Sequence, residues 1–192
     1  MKRLLLGILV FPFVLLTVDA LEPKERELPK PEVIQKLKTT KRWVCQDCTE
    51  NEKVVLKFLQ DRGIEDKVAI SVVMGNIKQE SKFHPNICEG GARVSYYDCH
   101  SGGFGLIQWT TLARYRGLGH FANKWGIDPT DLKTQLRWMV NEREWLRIEH
   151  IFKTPGLSQG EYMNAAYRWL GWGVHGERTT YSNQYVNRLV QV

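Results

Sequence analysis

The sequence lacks internal repeats and low-complexity tracts, and its composition is that of a globular protein, with 43% hydrophobic and 25% charged residues. It also lacks a run of Lys and Arg with interleaved aromatic residues at a spacing typical of nucleic-acid binding, so we expect no nucleic-acid partner. No cysteine lies at a clear helix start with a partner histidine in evidence, which disfavours a cysteine peptidase. The 192 residues are enough for one domain of ordinary size with a substantial core.

Positive charge exceeds negative charge along the chain. There are 27 Lys and Arg residues against 21 Asp and Glu residues, which gives a formal net charge of +6. A basic protein attracts polyanions such as nucleic acid, membrane surfaces or anionic cell-wall polymers. The charge does not choose among these partners, and a merely solvated basic surface is the alternative.

The first twenty residues have the layout of a secretory signal peptide. Lys2 and Arg3 form a short positive region, residues 4–18 are almost continuously apolar, and Ala20 ends a Val-Asp-Ala sequence suited to cleavage. We therefore expect cleavage after Ala20 and a secreted or periplasmic protein. The apolar run is shorter than the ~20 residues that a membrane span prefers. The alternative is an uncleaved leader whose residues 4–18 tether the protein to a membrane.

The segment after the leader is rich in Lys, Glu and Pro. Residues 21–42 are therefore interpreted as a linker, with a short helix over residues 31–41, and residues 43–192 as the catalytic domain.

Four cysteines lie beyond the leader: Cys45, Cys48, Cys88 and Cys99. An even number of cysteines in an exported chain favours disulfides, and a Cys88–Cys99 bridge would close a glycine-rich loop. The sequence permits three pairings. The alternative is a zinc site, because Cys45 and Cys48 have zinc-knuckle spacing and histidines 84 and 100 lie near the other two cysteines. Thiolate zinc sites compete with oxidation after export, so we expect no metal and no cofactor.

Helical signals dominate the rest of the chain. Capping boxes at Thr49 and Ser158 each open a helix, and Asp128 followed by a proline is a third start signal. The helices are predicted from Thr49 to Gly63, over about 65–81, 106–125 and 128–146, from Ser158 through Leu170, and over about 180–190. Residues 84–105 are rich in glycine and are expected to form loops or a short hairpin. The predicted fold is mainly α, with one small irregular lobe.

Glu80 ends an apolar stripe on the second predicted helix. Ala69, Val73 and Ile77 recur at helical spacing, and Glu80 lies on the same face. A carboxylate at the end of a buried stripe is costly unless it keeps its proton or gains a partner. Desolvation raises the pKa of such a group, as a general acid at neutral pH requires. The alternative is a helix-terminal Glu that pairs with a nearby Lys or Arg.

Two motifs in order carry a family resemblance: Glu80-Ser81-Lys82-Phe83, and then Gly103-Phe104-Gly105-Leu106-Ile107-Gln108-Trp109. They resemble the lysozyme-like superfamily of goose-type lysozymes and lytic transglycosylases, and most closely its phage-tail-lysozyme family. Weaker matches are Trp172, Glu177, Arg178 and Tyr185, and the likeness covers roughly residues 50–190. The resemblance implies a lysozyme-like helical domain in which Glu80 is the catalytic acid. It also implies cleavage of the β-1,4 bond between N-acetylmuramic acid and N-acetylglucosamine in peptidoglycan glycan strands.

The glycine motif is the predicted sugar-binding segment. Gly103 and Gly105 would bring backbone amides close to the N-acetyl groups, because glycine permits close approach. Phe104 or Trp109 would form an aromatic platform, and Gln108 would hydrogen-bond the sugar. Ser81, from the first motif, is counted with these substrate-binding residues. The alternative for Trp109 is a buried core position.

The second catalytic carboxylate is predicted to be Asp98, which lies shortly before the glycine motif, where goose-type lysozymes place an aspartate. Glu89 is a weaker candidate, and Glu142 is expected to pair with a basic neighbour. Thr110 stands where goose-type lysozymes have a further aspartate. That departure leaves open both a hydrolase and a lytic transglycosylase that forms anhydro ends. A protein that binds peptidoglycan without cleaving it is a separate alternative, which the presence of both Glu80 and the glycine motif disfavours.

Overall fold

A computed structural model describes residues 41–100 and 102–192. The predicted signal peptide or anchor (1–20), almost all of the predicted linker (21–42) and almost all of the short helix predicted over 31–41 lie outside these residues and stay predictions. Of the helices that the structure describes, none combines the length and the apolar character needed to cross a membrane.

The described residues are mainly α-helical, as predicted. The eight helices are α1 (Glu50–Asp61), α2 (Lys67–Ser81), α3 (Leu112–Trp125), α4 (Leu132–Met139), α5 (Arg143–Leu146), α6 (Glu149–Lys153), α7 (Gln159–Leu170) and α8 (Arg178–Arg188). Strands β1 (Trp43–Val44) and β2 (Val190–Gln191) pair antiparallel, with Trp43 opposite Gln191 and Val44 opposite Val190. The first and last described elements therefore lie side by side.

Helix α2 is the central element of the core. Every residue from Ala69 to Ile77 is buried, and α1, α7 and α8 pack around it. The contact with α8 is close because Gly75 has no side chain: a Cβ atom there would lie 2.6 Å from the backbone nitrogen of Ser182. Helix α2, which carries the predicted acid Glu80, is therefore packed on several sides, and this packing fixes the position of its C-terminal turn.

Both predicted capping boxes are present. The Thr49 hydroxyl accepts a hydrogen bond from the Glu52 backbone amide, and the Glu52 carboxylate accepts one from the Thr49 amide. Ser158 and Glu161 make the same reciprocal pair at the start of α7. These local side-chain contacts satisfy amides that a helix start leaves without partners, and they correctly predicted where α1 and α7 begin.

The third predicted helix begins six residues later than expected. Residues 105–108 form a turn, residues 109–111 are also not helical, and α3 starts at Leu112 behind its N-cap Thr111. The reason is the left-handed backbone at Gly105 (φ 75°) and Gln108 (φ 52°), which a right-handed helix cannot contain.

The helix predicted over 128–146 is likewise divided. Asp128 accepts a hydrogen bond from the Thr130 amide and so closes a turn, while Asp131 is the N-cap of α4. The chain turns again at residues 140–142 before α5 begins. That turn places Glu142 in the core, where it meets basic and aromatic partners described below.

The irregular lobe contains two isolated antiparallel bridges instead of a regular hairpin. Ile87 pairs with Arg93, Cys88 pairs with Phe104, and a short 3-10 helix covers Tyr96–Asp98. A Cys88–Cys99 disulfide closes this lobe, and a Cys45–Cys48 disulfide precedes α1. The structure thus selects the local pairing from the three that the sequence permits. All four sulfurs are bonded to one another in pairs, so they are not thiolate ligands for zinc.

Candidate active site

Glu80 lies in the last turn of α2, immediately before the final helical residue Ser81. Only 16% of its side chain is exposed, and its Oε1 forms an ion pair with the Arg178 guanidinium from α8. Both readings of the sequence therefore apply at once: the carboxyl is largely removed from water, and it has a basic partner.

Burial raises the pKa of Glu80 above the ordinary value for a glutamic acid, although the positive charges of Arg178 and Arg114 act in the opposite direction. The carbonyl end of a helix also carries partial negative charge, which disfavours a nearby carboxylate. A raised pKa keeps a larger fraction of this carboxyl protonated towards neutral pH. This is the protonation state that a general acid needs.

Arg178 is held firmly in place. Its Nη1 donates to the backbone oxygens of Val174 (3.0 Å) and His175 (2.7 Å), and its guanidinium carbon lies 4.4 Å from the Trp172 ring centroid. Only 5% of its side chain is exposed. These contacts fix the guanidinium, so the ion pair in turn fixes the Glu80 carboxyl. The sequence contained the Glu177-Arg178 pair, but nothing in it indicated that Arg178 reaches Glu80, 98 positions away.

Ser81 fastens the end of α2 to the glycine segment. Its hydroxyl is buried, donates to the Leu106 carbonyl at 2.7 Å and also contacts the Ile77 carbonyl at 3.3 Å. The structure thereby brings the two sequence motifs together. Because this hydroxyl is enclosed, the role that the structure gives Ser81 is to position the segment beside Glu80.

Gln135 holds the glycine segment from the other side. It is fully buried, its Oε1 accepts from the Leu106 amide at 2.8 Å, and its Nε2 donates to the carbonyls of Pro85 (2.7 Å) and Pro129 (2.9 Å). A Cβ atom on Gly105 would lie 2.6 Å from Gln135 Oε1, so only glycine fits this approach. The sequence indicated that Gln135 belongs to a helix but did not reveal this positioning role.

The predicted sugar-binding amides already have partners. Gly103 N donates to Glu89 Oε2 and Gly105 N to the Ile87 carbonyl, each at 2.8 Å. Gln108 is half-buried, and its side-chain Nε2 donates to the Gly105 carbonyl at 3.0 Å. These groups shape the segment in the structure, and direct contact with a sugar stays a prediction for them.

Phe104 and Trp109 lie in the core, each with no exposed surface. A buried ring offers no face on which a sugar can stack, so neither meets the expectation of an aromatic platform as the structure places it. For Trp109 the core alternative applies. Its Nε1 donates to Glu142 at 3.1 Å, and this bond satisfies the polar atom of a buried indole.

Glu142 pairs with a basic neighbour, as predicted. The carboxylate is 2% exposed. It accepts hydrogen bonds from Nε (2.9 Å) and Nη2 (2.6 Å) of Arg114 and from the indole nitrogens of Trp109 and Trp169, both at 3.1 Å. Four donors satisfy this buried charge. Glu142 therefore joins α3, α5 and α7 at a structural junction.

Asp98, the predicted second carboxylate, lies exposed at the end of the 3-10 helix, and its Oδ2 accepts from the Ser95 hydroxyl at 2.6 Å. Glu89, the weaker candidate, is bound to the Gly103 amide. Thr110 is exposed and donates to the Gln108 carbonyl at 2.9 Å. Asp98 thus stands on the irregular lobe with a hydrogen bond typical of a turn, and its catalytic role stays a prediction.

The chain is similar to Morphogenesis protein 1 of Bacillus phage B103, with 29% identity over 114 residues. The match covers 55% of this chain and 28% of that protein, so the chain spans well under half of that relative's length. No solved structure matches the chain significantly. The phage tail lysozyme family model matches residues 50–186, which include both motifs, α1 to α7 and most of α8. The chain therefore belongs to the phage tail lysozyme family.

Proposed function

We propose that the protein cleaves peptidoglycan glycan strands at the β-1,4 bond between N-acetylmuramic acid and N-acetylglucosamine, with Glu80 as the general acid. The observation that carries the proposal is a single carboxyl that is largely buried and has a raised pKa. It also lies on the motif that is fastened by Ser81 to the glycine segment. Membership of the phage tail lysozyme family supports peptidoglycan as the substrate.

In the proposed reaction, the Glu80 carboxyl donates its proton to the bridging oxygen of the glycosidic bond. The bond from that oxygen to C1 of N-acetylmuramic acid breaks, the electron pair stays with the leaving oxygen, and positive charge develops on the sugar ring. Glu80 becomes a carboxylate in this step. The guanidinium of Arg178 is already paired with it, and so stabilises the charge that the proton transfer leaves behind.

The second half of the reaction has two candidates. In a hydrolase, a water molecule attacks C1 and a base, for which Asp98 is the candidate, accepts its proton. In a lytic transglycosylase, the 6-hydroxyl of the same sugar attacks, and Glu80 takes back the proton. Asp98 is exposed, so a water molecule can reach its carboxylate. A protein that only binds peptidoglycan is the third candidate.

Substitution of Glu80 by Gln tests the acid. We expect E80Q to clear a suspension of purified cell walls about 100- to 10,000-fold more slowly than the wild type, since this is the range that general acid catalysis supplies. Glu50→Gln on α1 is the matched control, because that side chain is 86% exposed and pairs with Lys53 at the surface. Clearing by E80Q at the wild-type rate would remove Glu80 as the catalyst. No clearing by the wild type would favour the binding protein.

Mass spectrometry of the released fragments separates the two cleaving enzymes. Reducing ends identify a hydrolase, and anhydro ends identify a transglycosylase. With a hydrolase, Asp98→Asn is expected to abolish release if Asp98 is the base, whereas a transglycosylase would be unaffected by this change.

A further inference from the structure

We propose that a groove beside α7 and α8 is a binding subsite for an uncharged N-acetylhexosamine unit of the glycan strand. The groove has a volume of about 410 Å³ and is lined by residues of α7, of α8 and of the segment that joins them. The inference rests on the proposed function, because it names a place where the substrate of Glu80 continues along the surface.

The chemistry of the lining is uncharged. None of the eight residues that line the groove is Asp, Glu, Lys or Arg, in a chain whose charged residues make up a quarter of the total and whose net charge is +6. Phosphates and carboxylates are recognised by cationic side chains or by arrays of donors. A wall of aromatic, amide and hydroxyl groups instead suits a ligand with apolar faces and neutral hydrogen-bonding groups, as an N-acetylated sugar ring has.

Aromatic rings form one side of the groove. Tyr167 is 51% exposed and meets Trp172 edge to face, with ring centroids 5.2 Å apart, and Trp172 meets His175 at 5.9 Å. These neighbouring rings hold one another in place, so little side-chain entropy is lost on binding. Tyr167 is exposed, whereas Phe104 and Trp109 are buried. The rings of the groove therefore offer the aromatic platform that was expected of the glycine motif.

Polar groups accompany the rings. The Asn164 side chain is exposed, and its amide makes no hydrogen bond to the residues that the structure describes, so both its donors and its acceptor face solvent. Thr179 bonds to the His175 ring at 2.8 Å, and this contact fixes the far wall. An amide next to aromatic rings can pair with the N–H and C=O of an acetamido group while the sugar ring packs on the aromatic surface.

The groove adjoins the proposed catalytic carboxyl through two contacts. Trp172 lies against the Arg178 guanidinium at 4.4 Å, and Arg178 is paired with Glu80. One side chain therefore separates the aromatic wall from the acid. A strand whose cleaved bond lies at Glu80 would reach the groove with a sugar unit further along the chain.

A second cavity, of about 530 Å³, is chemically different. Lys78, Lys82 and Arg188 line it together with Asp47 and Glu52, and it lies at the start of α1. Most of its charged groups are already paired within the protein. The contrast shows that the uncharged lining of the α7–α8 groove is a local property and not that of the whole surface.

The test uses the full chain carrying Glu80→Gln, so that the probe is not consumed, and triacetylchitotriose as the probe. Tyr167→Ala and Asn164→Ala in this background are each expected to raise the dissociation constant about tenfold by calorimetric titration. Trp125→Ala is the matched control, because Trp125 is similarly exposed (55%) but lies on α3, outside the groove. Its dissociation constant is expected to stay unchanged.

The two proposals fail separately. If the folded Tyr167 and Asn164 variants bind the probe as tightly as their parent, or if the parent does not bind it, the subsite is overturned, whatever Glu80 does in the clearing assay. If binding weakens as expected but E80Q still clears walls at the wild-type rate, the subsite is supported and the role of Glu80 as general acid is contradicted. Thermal unfolding of each variant establishes that it is folded, and the exposed Asn164 variant keeps the test decisive if Tyr167→Ala is not.

Discussion

Two opposing influences act on the pKa of Glu80. Burial among α2 and its neighbours raises its pKa, while Arg178 and Arg114 lower it. The balance favours the protonated form relative to an exposed glutamic acid. The ion pair with Arg178 lowers the pKa of Glu80 and also holds its carboxyl in place. The carboxyl is therefore fixed in position, but its pKa is lower than burial alone would make it.

Arg178→Gln is expected to shift the alkaline limb of the pH–rate profile to higher pH. Arg178 stabilises the carboxylate form of Glu80, so its removal raises the pKa of Glu80 further, and the protonated acid persists to higher pH. The measurement is kcat/KM on cell walls as a function of pH, which reports ionisations of the free enzyme.

Arg178→Lys is the control for that change, because it keeps the charge but loses the fork that also bonds to the carbonyls of Val174 and His175. Its alkaline limb should stay near that of the wild type even if its rate falls. A limb that moves equally in both variants, or that moves to lower pH in the Gln variant, would contradict the electrostatic argument.

Among the helices, the α2–α8 crossing depends on one missing side chain. Gly75→Ala would place a methyl carbon 2.6 Å from the Ser182 backbone nitrogen, and neither helix can move without disturbing the core. We expect a loss of about 2 kcal/mol in the free energy of unfolding, measured by urea denaturation, because overpacking a close contact costs roughly 1–3 kcal/mol.

Gly160→Ala on α7 is the matched control. The nearest heavy atom to a Cβ there is 3.9 Å away, so the methyl group meets no obstruction. Alanine is the better helix former, and this variant should gain about 0.5–1 kcal/mol. Equal effects of the two substitutions would show that helix propensity, and not the α8 contact, decides the outcome at Gly75.

The two capping boxes predicted helix starts correctly, whereas the Asp128-Pro129 signal placed the start of α4 three residues too early. Long-range contacts explain the late start of α3. The capping boxes at Thr49 and Ser158 act within one turn and can be recognised from four residues. The late start of α3 depends on Gln135 and Ser81, which hold residues 105–108 in turns from elsewhere in the fold. No periodic pattern encodes such contacts, because apolar spacing continues through them.

The same distinction applies to the candidate site. The sequence predicted the catalytic acid on the Glu80 motif and sugar binding on the glycine motif, and the Ser81–Leu106 hydrogen bond joins the two motifs. Phe104 or Trp109 was expected to form an aromatic platform, with a core position as the alternative for Trp109, and both rings are buried. Burial depends on packing contacts that the motif does not contain. The Arg178–Glu80 ion pair could not be predicted from the sequence, because it depends on which end of α8 packs against the C-terminal end of α2.

For the whole molecule, the net charge of +6 predicts salt-sensitive attraction to anionic cell-wall polymers. Cosedimentation with purified walls is expected to fall as NaCl rises from about 0.05 to about 0.5 M, because screening shortens the reach of exposed charges from roughly 14 to 4 Å. Binding to uncharged chitin should change much less, since the proposed α7–α8 groove has no charged lining residue. Wall binding that is independent of salt would contradict the electrostatic part of this expectation.

The pairing of β1 with β2 has a topological consequence. Arg42 and Val192 exchange two backbone hydrogen bonds, at 3.0 and 2.9 Å, so the two edges of the described fold are already joined non-covalently. A peptide of a few residues would bridge them with little loss of chain entropy. The domain could thus be closed into a ring and reopened at an exposed loop, with every helix keeping its neighbours, which is the behaviour of a fold that tolerates circular permutation.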